Sequence, residues 1–197
     1  MSISAAQVKE LRDRTGAGMM DCKKALSESN GDVDKAIEYL RTKGIAKAAK
    51  KADRETKQGL VSSYIHPGGG VGVLVEVQCE TDFVARTDEF QSFVHDIAMH
   101  IAATNPLALS GDDLDTATME AEREIYIKQA MEEGKPQEIA EKMVEGRLKK
   151  FRKENALLDQ PFVKNPDQTI DQLVAEKVAS LGENMKISRF ARFSIGG

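Results

Sequence analysis

The hydrophobic pattern of this chain changes at Gly59, and no other feature of the sequence limits the fold as strongly. In the first 43 residues, apolar side chains recur every three or four positions, which is the spacing of one helix face. After it, residues 60–66 and 71–79 alternate in polarity, and a Pro-Gly-Gly-Gly segment at 67–70 separates them. Alternation on both sides of a glycine-rich turn is typical of a β-hairpin, so we predict one here.

Helical spacing returns after the hairpin and continues through most of the remaining chain. One apolar stripe begins at Phe90, and two further helices follow a polar segment, with Pro136 in the first turn of the second. A last helix stops at Gly182, and residues 186–195 predict a third strand. Strands at both ends of a helical middle indicate an α+β fold with a short three-stranded antiparallel sheet.

The first 43 residues predict three short helices with small apolar stripes. Ser4 and Gln7 have the spacing of a capping box, and Asp32 can cap the third helix. Residues 44–58 are rich in Ala and Lys and lack a sustained stripe, which indicates a solvated linker that can itself be helical.

We therefore predict three parts along the chain. They are a three-helix N-terminal domain at 1–44, a basic linker at 45–58 and an α+β core domain at 59–197.

The charge of the chain argues against a general nucleic-acid binder, because the 197 residues carry a net charge of −4. Residues 41–58 are an exception, with seven Lys or Arg against two Asp or Glu. This stretch has no aromatic residue to stack on bases, so a solvated linker is the favoured interpretation. RNA binding stays an alternative, and a salt-sensitive RNA shift that depends on Lys47, Lys50 and Lys51 would support it.

Residues that could carry chemistry do not form a catalytic or metal-binding pattern. His66, His95 and His100 do not have the spacing of a metal pair, and Cys22 and Cys79 each lie on an apolar stripe, as packing residues do. The glycine-rich turn leads into a strand and lacks the Lys and Ser/Thr of a phosphate-binding loop. We expect no catalytic residue, no metal and no cofactor.

The two cysteines also bear on location. They lie far apart in the sequence, without the spacing of a zinc site or a disulfide framework, which fits a reducing cytosol. The first residues lack a basic region followed by an apolar run, and no stretch approaches the roughly 20 apolar residues that span a bilayer. We expect a cytoplasmic protein.

The segment Thr81-Asp82-Phe83-Val84 lies between the hairpin and an amphipathic helix, and two interpretations fit it. In the first, Thr81 or Asp82 caps a helical turn and Phe83 belongs to the core. In the second, Phe83 is exposed beside a carboxylate at a loop tip and acts as a wedge that enters a partner.

Several segments form recognisable motifs, and they occur in one order along almost the whole chain. They are Lys-Glu-Leu-Arg at 9–12, Thr-Gly-Ala-Gly-Met-Met-Asp-Cys-Lys-Lys-Ala-Leu at 15–26, Asn-Gly-Asp at 30–32, Ala-Lys-Ala-Ala-Lys-Lys-Ala at 46–52, Val-Glu-Val-Gln-Cys-Glu-Thr-Asp-Phe-Val-Ala at 75–85, Gly-Lys-Pro at 134–136, Val-Glu-Gly-Arg-Leu at 144–148, Leu-Leu-Asp-Gln-Pro-Phe-Val at 157–163 and Phe-Ala-Arg-Phe at 190–193. Together these segments resemble the elongation factor Ts family of bacterial translation, and the resemblance implies that the N-terminal three-helix domain is of the ubiquitin-associated type.

The same resemblance implies a function and a site. It implies a guanine-nucleotide exchange factor, not an enzyme, that promotes GDP release from elongation factor Tu by displacing magnesium and so allows GTP to reload. Thr81, Asp82, Phe83 and Val84 would be the displacing element, with Phe83 inserted near the phosphate region of the partner. The N-terminal domain would grip a helix of elongation factor Tu, and the candidate residues there are Lys9, Met19, Met20 and Lys23.

One departure from the family pattern concerns size. Longer relatives have two core subdomains, whereas this chain has one, as expected of a short form. We therefore predict a homodimer, formed through a sheet edge or a helical face, that binds two elongation factor Tu molecules without contacting nucleic acid. The alternative from another class is a non-catalytic binding or scaffold module that recognises a ubiquitin-like or helical partner; a scaffold has no use for an exposed Phe83.

Overall fold

The computed structural model describes residues 3–196 and confirms the predicted α+β class. The elements, in chain order, are α1 (Ala5–Thr15), α2 (Met19–Glu28), α3 (Val33–Ala49), β1 (Gln58–Ile65), β2 (Val71–Cys79), α4 (Asp82–Ala85), α5 (Asp88–Thr104), α6 (Thr116–Glu132), α7 (Gln137–Asn155), a 3-10 turn (Leu157–Asp159), β3 (Pro161–Phe162), β4 (Asn165–Thr169), α8 (Ile170–Leu181) and β5 (Met185–Ser194). No helix in this described part is long and apolar enough to cross a membrane.

The chain divides into two compact units. The first comprises Val75–His95, Gln172–Ser188 and the described residues of Met1–Ser62, and the second comprises Ser63–Leu74, Asp96–Asp171 and the described residues of Arg189–Gly197. The boundaries expected from the sequence, after residues 44 and 58, stay a prediction.

Helices α1, α2 and α3 form a small bundle in the first unit. Their shared core consists of Val8, Leu11, Cys22, Ala25, Leu26 and Ala36. The predicted capping box is present, because the Ser4 hydroxyl accepts from the Gln7 N–H at 3.2 Å and the Gln7 side chain accepts from the Ser4 N–H at 3.0 Å. Helix α3 continues to Ala49, so part of the predicted linker is helical.

The predicted hairpin and third strand are confirmed, with the sheet order β1-β2-β5. The inward side of β2 is as the alternation predicted: Val73, Val75, Val77 and Cys79 are all buried. The turn is closed by the His66 N–H, which donates to the Val71 carbonyl at 2.9 Å. Strand β2 ends at Cys79, one residue before the Thr81–Val84 segment.

The second unit contains the helical pair α6 and α7. Arg147 joins the two helices by donating to the Gln129 side chain at 2.9 Å and by lying over the Tyr126 ring. Pro136 was expected in the first turn of α7 but is its N-cap, one residue earlier, with an extended backbone. The small sheet of β3 and β4 was not predicted, because Asn165–Thr169 is polar and carries no apolar alternation.

Candidate partner-binding site

Helix α4 is a single turn that Thr81 begins. The backbone of Thr81 is extended, and its hydroxyl accepts from the Val84 N–H at 3.4 Å. At the other end, the Arg86 N–H donates to the Asp82 carbonyl at 3.2 Å and the Thr87 hydroxyl donates to the Val84 carbonyl at 2.8 Å. Capping by Thr81 is the arrangement that the first interpretation of this segment predicted.

Phe83 is not a core residue, so that part of the first interpretation is wrong. Its side chain is 82% exposed, whereas Phe90 and Phe93 of α5 are buried. Exposure of one apolar residue is ordinary on a protein surface, but a ring presented this openly beside a carboxylate is suited to contact with a partner. The exposure of Phe83 beside a carboxylate is therefore as the second interpretation requires, whereas its role as a wedge stays a prediction.

Asp82 lies next to Phe83 on the same turn. Its carboxylate is 2.9 Å from Arg86 in an i,i+4 ion pair, in which the Arg86 side chain is 79% exposed and the Asp82 side chain 47% exposed. An exposed pair of this kind contributes about 0–1 kcal/mol, so a partner can replace Arg86 at little cost. The carboxylate is consequently available to a cationic group or a metal ion of a partner.

Thr81, which begins α4, is hydrogen-bonded to a distant segment of the first unit. The sequence alone did not predict this contact. Glu183 accepts from the Thr81 N–H at 3.0 Å and from the Thr81 hydroxyl at 2.6 Å. The two residues are 102 positions apart, so no local pattern could indicate their contact.

Cys79 supports the same residue from the hairpin side. Its thiol donates to the Thr81 carbonyl at 3.1 Å. Burial, and after it the nearby charge of Glu183, raise the pKa of the Cys79 thiol, which keeps the proton on sulfur and preserves the donor.

The four N-terminal candidates lie on α1 and α2. Lys9 is exposed on α1, and Lys23 is exposed on α2. Met19 and Met20 form the first turn of α2, with 45% and 78% of their surfaces exposed. Two neighbouring exposed methionines provide a flexible apolar contact of the kind used at adaptable binding surfaces.

The histidines and cysteines bear on whether residues 3–196 could hold a metal ion or a reactive thiol. Among residues 3–196, no group of three or more His, Cys, Asp or Glu side chains has the arrangement needed to hold a metal ion. Cys22 and Cys79 are buried free thiols, and burial raises the pKa of both, which disfavours the reactive thiolate. His100 is buried against Gln160, as a packing residue is.

Comparison with known proteins gives consistent matches over the whole chain. A family model described as elongation factor TS matches residues 5–197. The chain is 61% identical over 196 residues to elongation factor Ts of Alkaliphilus metalliredigens, covering 100% of this chain and 91% of that protein. It is 57% identical over 196 residues to that of Geobacter sulfurreducens, covering 100% and 91%, and 54% identical over 195 residues to that of Desulfosudis oleivorans, covering 99% and 98%.

Proposed function

Because the chain belongs to the elongation factor Ts family of translation elongation factors, we propose that it is a guanine-nucleotide exchange factor that promotes release of GDP from elongation factor Tu. The observation that carries this proposal is the exposed ring of Phe83 beside the Asp82 carboxylate on a turn that other residues hold in place. We call Thr81–Val84 the exchange element. The protein makes and breaks no covalent bond in this role and works in the cytoplasm.

The exchange element acts by favouring one state of the partner. GDP and Mg²⁺ are held by many charge-assisted contacts, and a factor loosens them only if it binds the nucleotide-free state more tightly than the loaded state. Phe83 enters near the phosphate region in that open state, and the Asp82 carboxylate competes for the groups that hold the ion. Burial of one Phe contributes about 1.5–3 kcal/mol, which corresponds to a shift of roughly 10- to 100-fold in relative affinity.

Reciprocity makes the factor reusable. If the factor weakens nucleotide binding by some ratio, then nucleotide must weaken factor binding by the same ratio. Incoming GTP therefore expels the factor, and the factor accelerates exchange without deciding which nucleotide is finally bound.

The N-terminal bundle supplies a second contact in this proposal. Lys9, Met19, Met20 and Lys23 lie on exposed faces of α1 and α2 and bind a helix of elongation factor Tu. Because this contact lies away from the phosphate region of the partner, it contributes affinity for both the nucleotide-free and the loaded state. Removing it should therefore weaken binding of the factor more than it slows GDP release from the bound complex.

A second copy of the chain completes the proposed assembly. Residues at one end of the sheet in the second unit expose apolar side chains around a shallow opening: Ile65, Leu74, Phe193 and Ile195. An apolar cluster of this kind is typical of protein–protein contact. We propose that it pairs with the same surface of a second copy and gives a complex of two factors with two elongation factor Tu molecules.

The experiment that tests the function is release of fluorescent GDP from elongation factor Tu, measured with the wild type and with Phe83→Ala and Asp82→Ala. Phe83→Ala should lower the release rate about 10- to 100-fold, because the ring is used only in the open state. Its thermal unfolding should stay unchanged, because 82% of the ring is exposed in the free protein.

Met131→Ala on α6 is the matched control, since it also shortens an exposed apolar side chain and lies outside the exchange element. This variant should release GDP as fast as the wild type. If the wild type itself does not accelerate release, the exchange proposal fails and the binding-module alternative replaces it.

A further inference from the structure

We propose that Glu183 is a positioning residue for nucleotide exchange: its carboxylate holds Thr81 and thereby sets the direction in which α4 presents Phe83. This inference rests on the proposed function, because it assigns a cause to the geometry of the exchange element. Glu183 itself need not touch the partner.

Helix α4 needs an external restraint. It is four residues long, and none of Asp82–Ala85 is buried. A single helical turn is unfavourable in water, because its one or two hydrogen bonds do not offset the cost of ordering the backbone. The direction of Phe83 must therefore be imposed by residues at the two ends of the turn.

Glu183 provides that restraint at the N-terminal end. One carboxylate oxygen accepts from the Thr81 N–H at 3.0 Å, and the other accepts from the Thr81 hydroxyl at 2.6 Å. A short hydrogen bond to an ionised acceptor is about twice as strong as a neutral one. Both donors of Thr81 are thus used by a single group, which fixes its backbone and its side chain together.

The same contact also prepares Thr81 to cap the turn. A hydroxyl has one hydrogen to donate and two lone pairs to accept with. Because Glu183 takes the hydrogen, a lone pair is left to face the Val84 N–H, at 3.4 Å. Glu183 therefore acts on α4 through the hydroxyl of Thr81.

The residues on both sides of Glu183 are held by hydrogen bonds within the first unit. Gly182, with φ of +82°, ends α8, and its N–H donates to the Val178 carbonyl at 3.2 Å. Asn184 is buried, and its side-chain amide donates to the carbonyls of Ala52 and Arg54 at 3.2 and 2.8 Å.

The segments around Thr81 and Glu183 are joined by two reciprocal hydrogen bonds. Glu80 precedes Thr81 and accepts from the Asn184 N–H at 2.6 Å, while Glu183 precedes Asn184 and accepts from the Thr81 N–H. Each glutamate thus binds the backbone next to the other. Two reciprocal bonds resist rotation of one segment against the other, so the position of Glu183 is transmitted to α4.

A purely structural contribution of Glu183 makes a different prediction from a positioning role. A structural tie would change the free energy of unfolding and leave the rate of GDP release in the saturated complex unaltered. A positioning residue changes that saturated rate and the local protection of the turn, because Phe83 then samples directions that do not fit the partner.

The test uses Glu183→Gln, Thr81→Val and the double variant in the GDP release assay at saturating factor. Glu183→Gln keeps the side-chain length but removes the charge and one acceptor, and it should lower the saturated rate about tenfold. The double variant should be no slower than the slower single variant, because both changes act through one contact.

Hydrogen exchange of the Thr81 and Val84 amides in the free protein gives an independent measurement. Glu183→Gln should speed hydrogen exchange at both amides by about tenfold or more, while the amides of α8 keep their protection. Glu89→Gln is the matched control, because that glutamate accepts from Lys177 and Ser180 and does not contact Thr81. It should change neither the release rate nor exchange at Thr81 and Val84.

A wild-type saturated rate in Glu183→Gln, or unchanged protection of the two amides, overturns the inference. If the wild type does not accelerate GDP release from elongation factor Tu, the proposed function fails instead, and the positioning role for exchange fails with it. The amide measurement then still shows separately whether Glu183 holds Thr81.

Discussion

At the scale of single residues, His100 shows how a buried polar side chain is kept neutral. It is completely buried in α5, where its Nε2 donates to the Gln160 carbonyl oxygen at 3.0 Å and its Nδ1 accepts from the Val163 N–H at 3.3 Å. Thr104 also donates to Gln160, at 2.9 Å. Protonation of His100 at Nδ1 would place the new hydrogen against the Val163 N–H. The His100 cation would therefore lose the hydrogen bond from Val163, and its burial would also deprive it of hydration.

The stability of the protein should therefore fall as the pH drops below about 6.5. Burial lowers the pKa of His100 from its ordinary value of 6.5, with Gln160 opposing in part. Between the lowered pKa and 6.5, the unfolded chain binds a proton that the folded chain does not bind, so the free energy of unfolding rises with pH in this window. Above 6.5 the contribution of His100 is fully present.

Urea unfolding of the wild type and His100→Gln, at about pH 7.5 and about pH 5.5, measures this effect. The wild type should lose more unfolding free energy between the two pH values than the variant does. His66→Gln, at an exposed position, is the control and should keep the wild-type difference. Equal losses in the wild type and His100→Gln would contradict the assignment.

At the scale of elements, two glycines should respond in opposite ways to the same substitution. Gly44 lies inside α3, and a Cβ added there would be 3.8 Å from the Ala179 Cβ, an ordinary contact. Gly59 in β1 has φ of +150°, and its Cβ would be 2.8 Å from the Gln78 Cα, which is too close. Helix α3 therefore tolerates a methyl group at Gly44, whereas the pairing of β1 with β2 excludes one at Gly59.

Gly44→Ala should raise the free energy of unfolding by about 0.5–1 kcal/mol, because glycine is a poor helix former. Gly59→Ala should lower it by about 2 kcal/mol or more, through backbone strain and overlap with the next strand. Chemical denaturation of the two variants beside the wild type checks both signs. A stabilising Gly59→Ala would show that β1 does not pair with β2 as described.

At the scale of the whole molecule, the apolar cluster at one end of the sheet predicts self-association. Phe193 and Ile195 are 68% and 87% exposed, and a stable protein interface covers side chains of this kind. Light scattering at micromolar concentration should give the mass of a dimer for the wild type. Phe193→Asp should give the mass of a monomer, because the pairing would bury an uncompensated charge.

Ile139→Asp on α7 is the matched control for this experiment. That residue is 49% exposed and lies outside the cluster, so the variant should remain a dimer. A monomeric wild type would remove the proposed assembly of two factors with two partners while leaving the exchange proposal intact.

The helices and strands could be predicted because their signals are local. Ser4 and Gln7 cap α1 across three positions, and the alternation from Val73 to Cys79 marks one face of β2. The order of helical and strand-like segments was enough for the α+β class. The pairing of β3 with β4 was missed because Phe162 and Asn165 meet in a short polar segment without periodicity.

The candidate site could be predicted only in part. Its position between a strand and a helix, and the capping role of Thr81, follow from residue types and order. The exposure of Phe83 does not, because a Phe after a strand is equally suited to the core, and the outcome depends on what packs over it. The role proposed for Glu183 was missed for a related reason, since its partner is 102 residues away.

The sequence by itself therefore determined the element types, the fold class and the family, all of which depend on residues within a few positions or on their order. The tertiary structure decided which side chains meet across the chain: Glu183 with Thr81, Glu80 with Asn184, and His100 with Gln160. The physical reason is that hydrogen bonds and burial depend on distance in space. Folding brings these groups together, whereas periodicity describes only near neighbours along the chain.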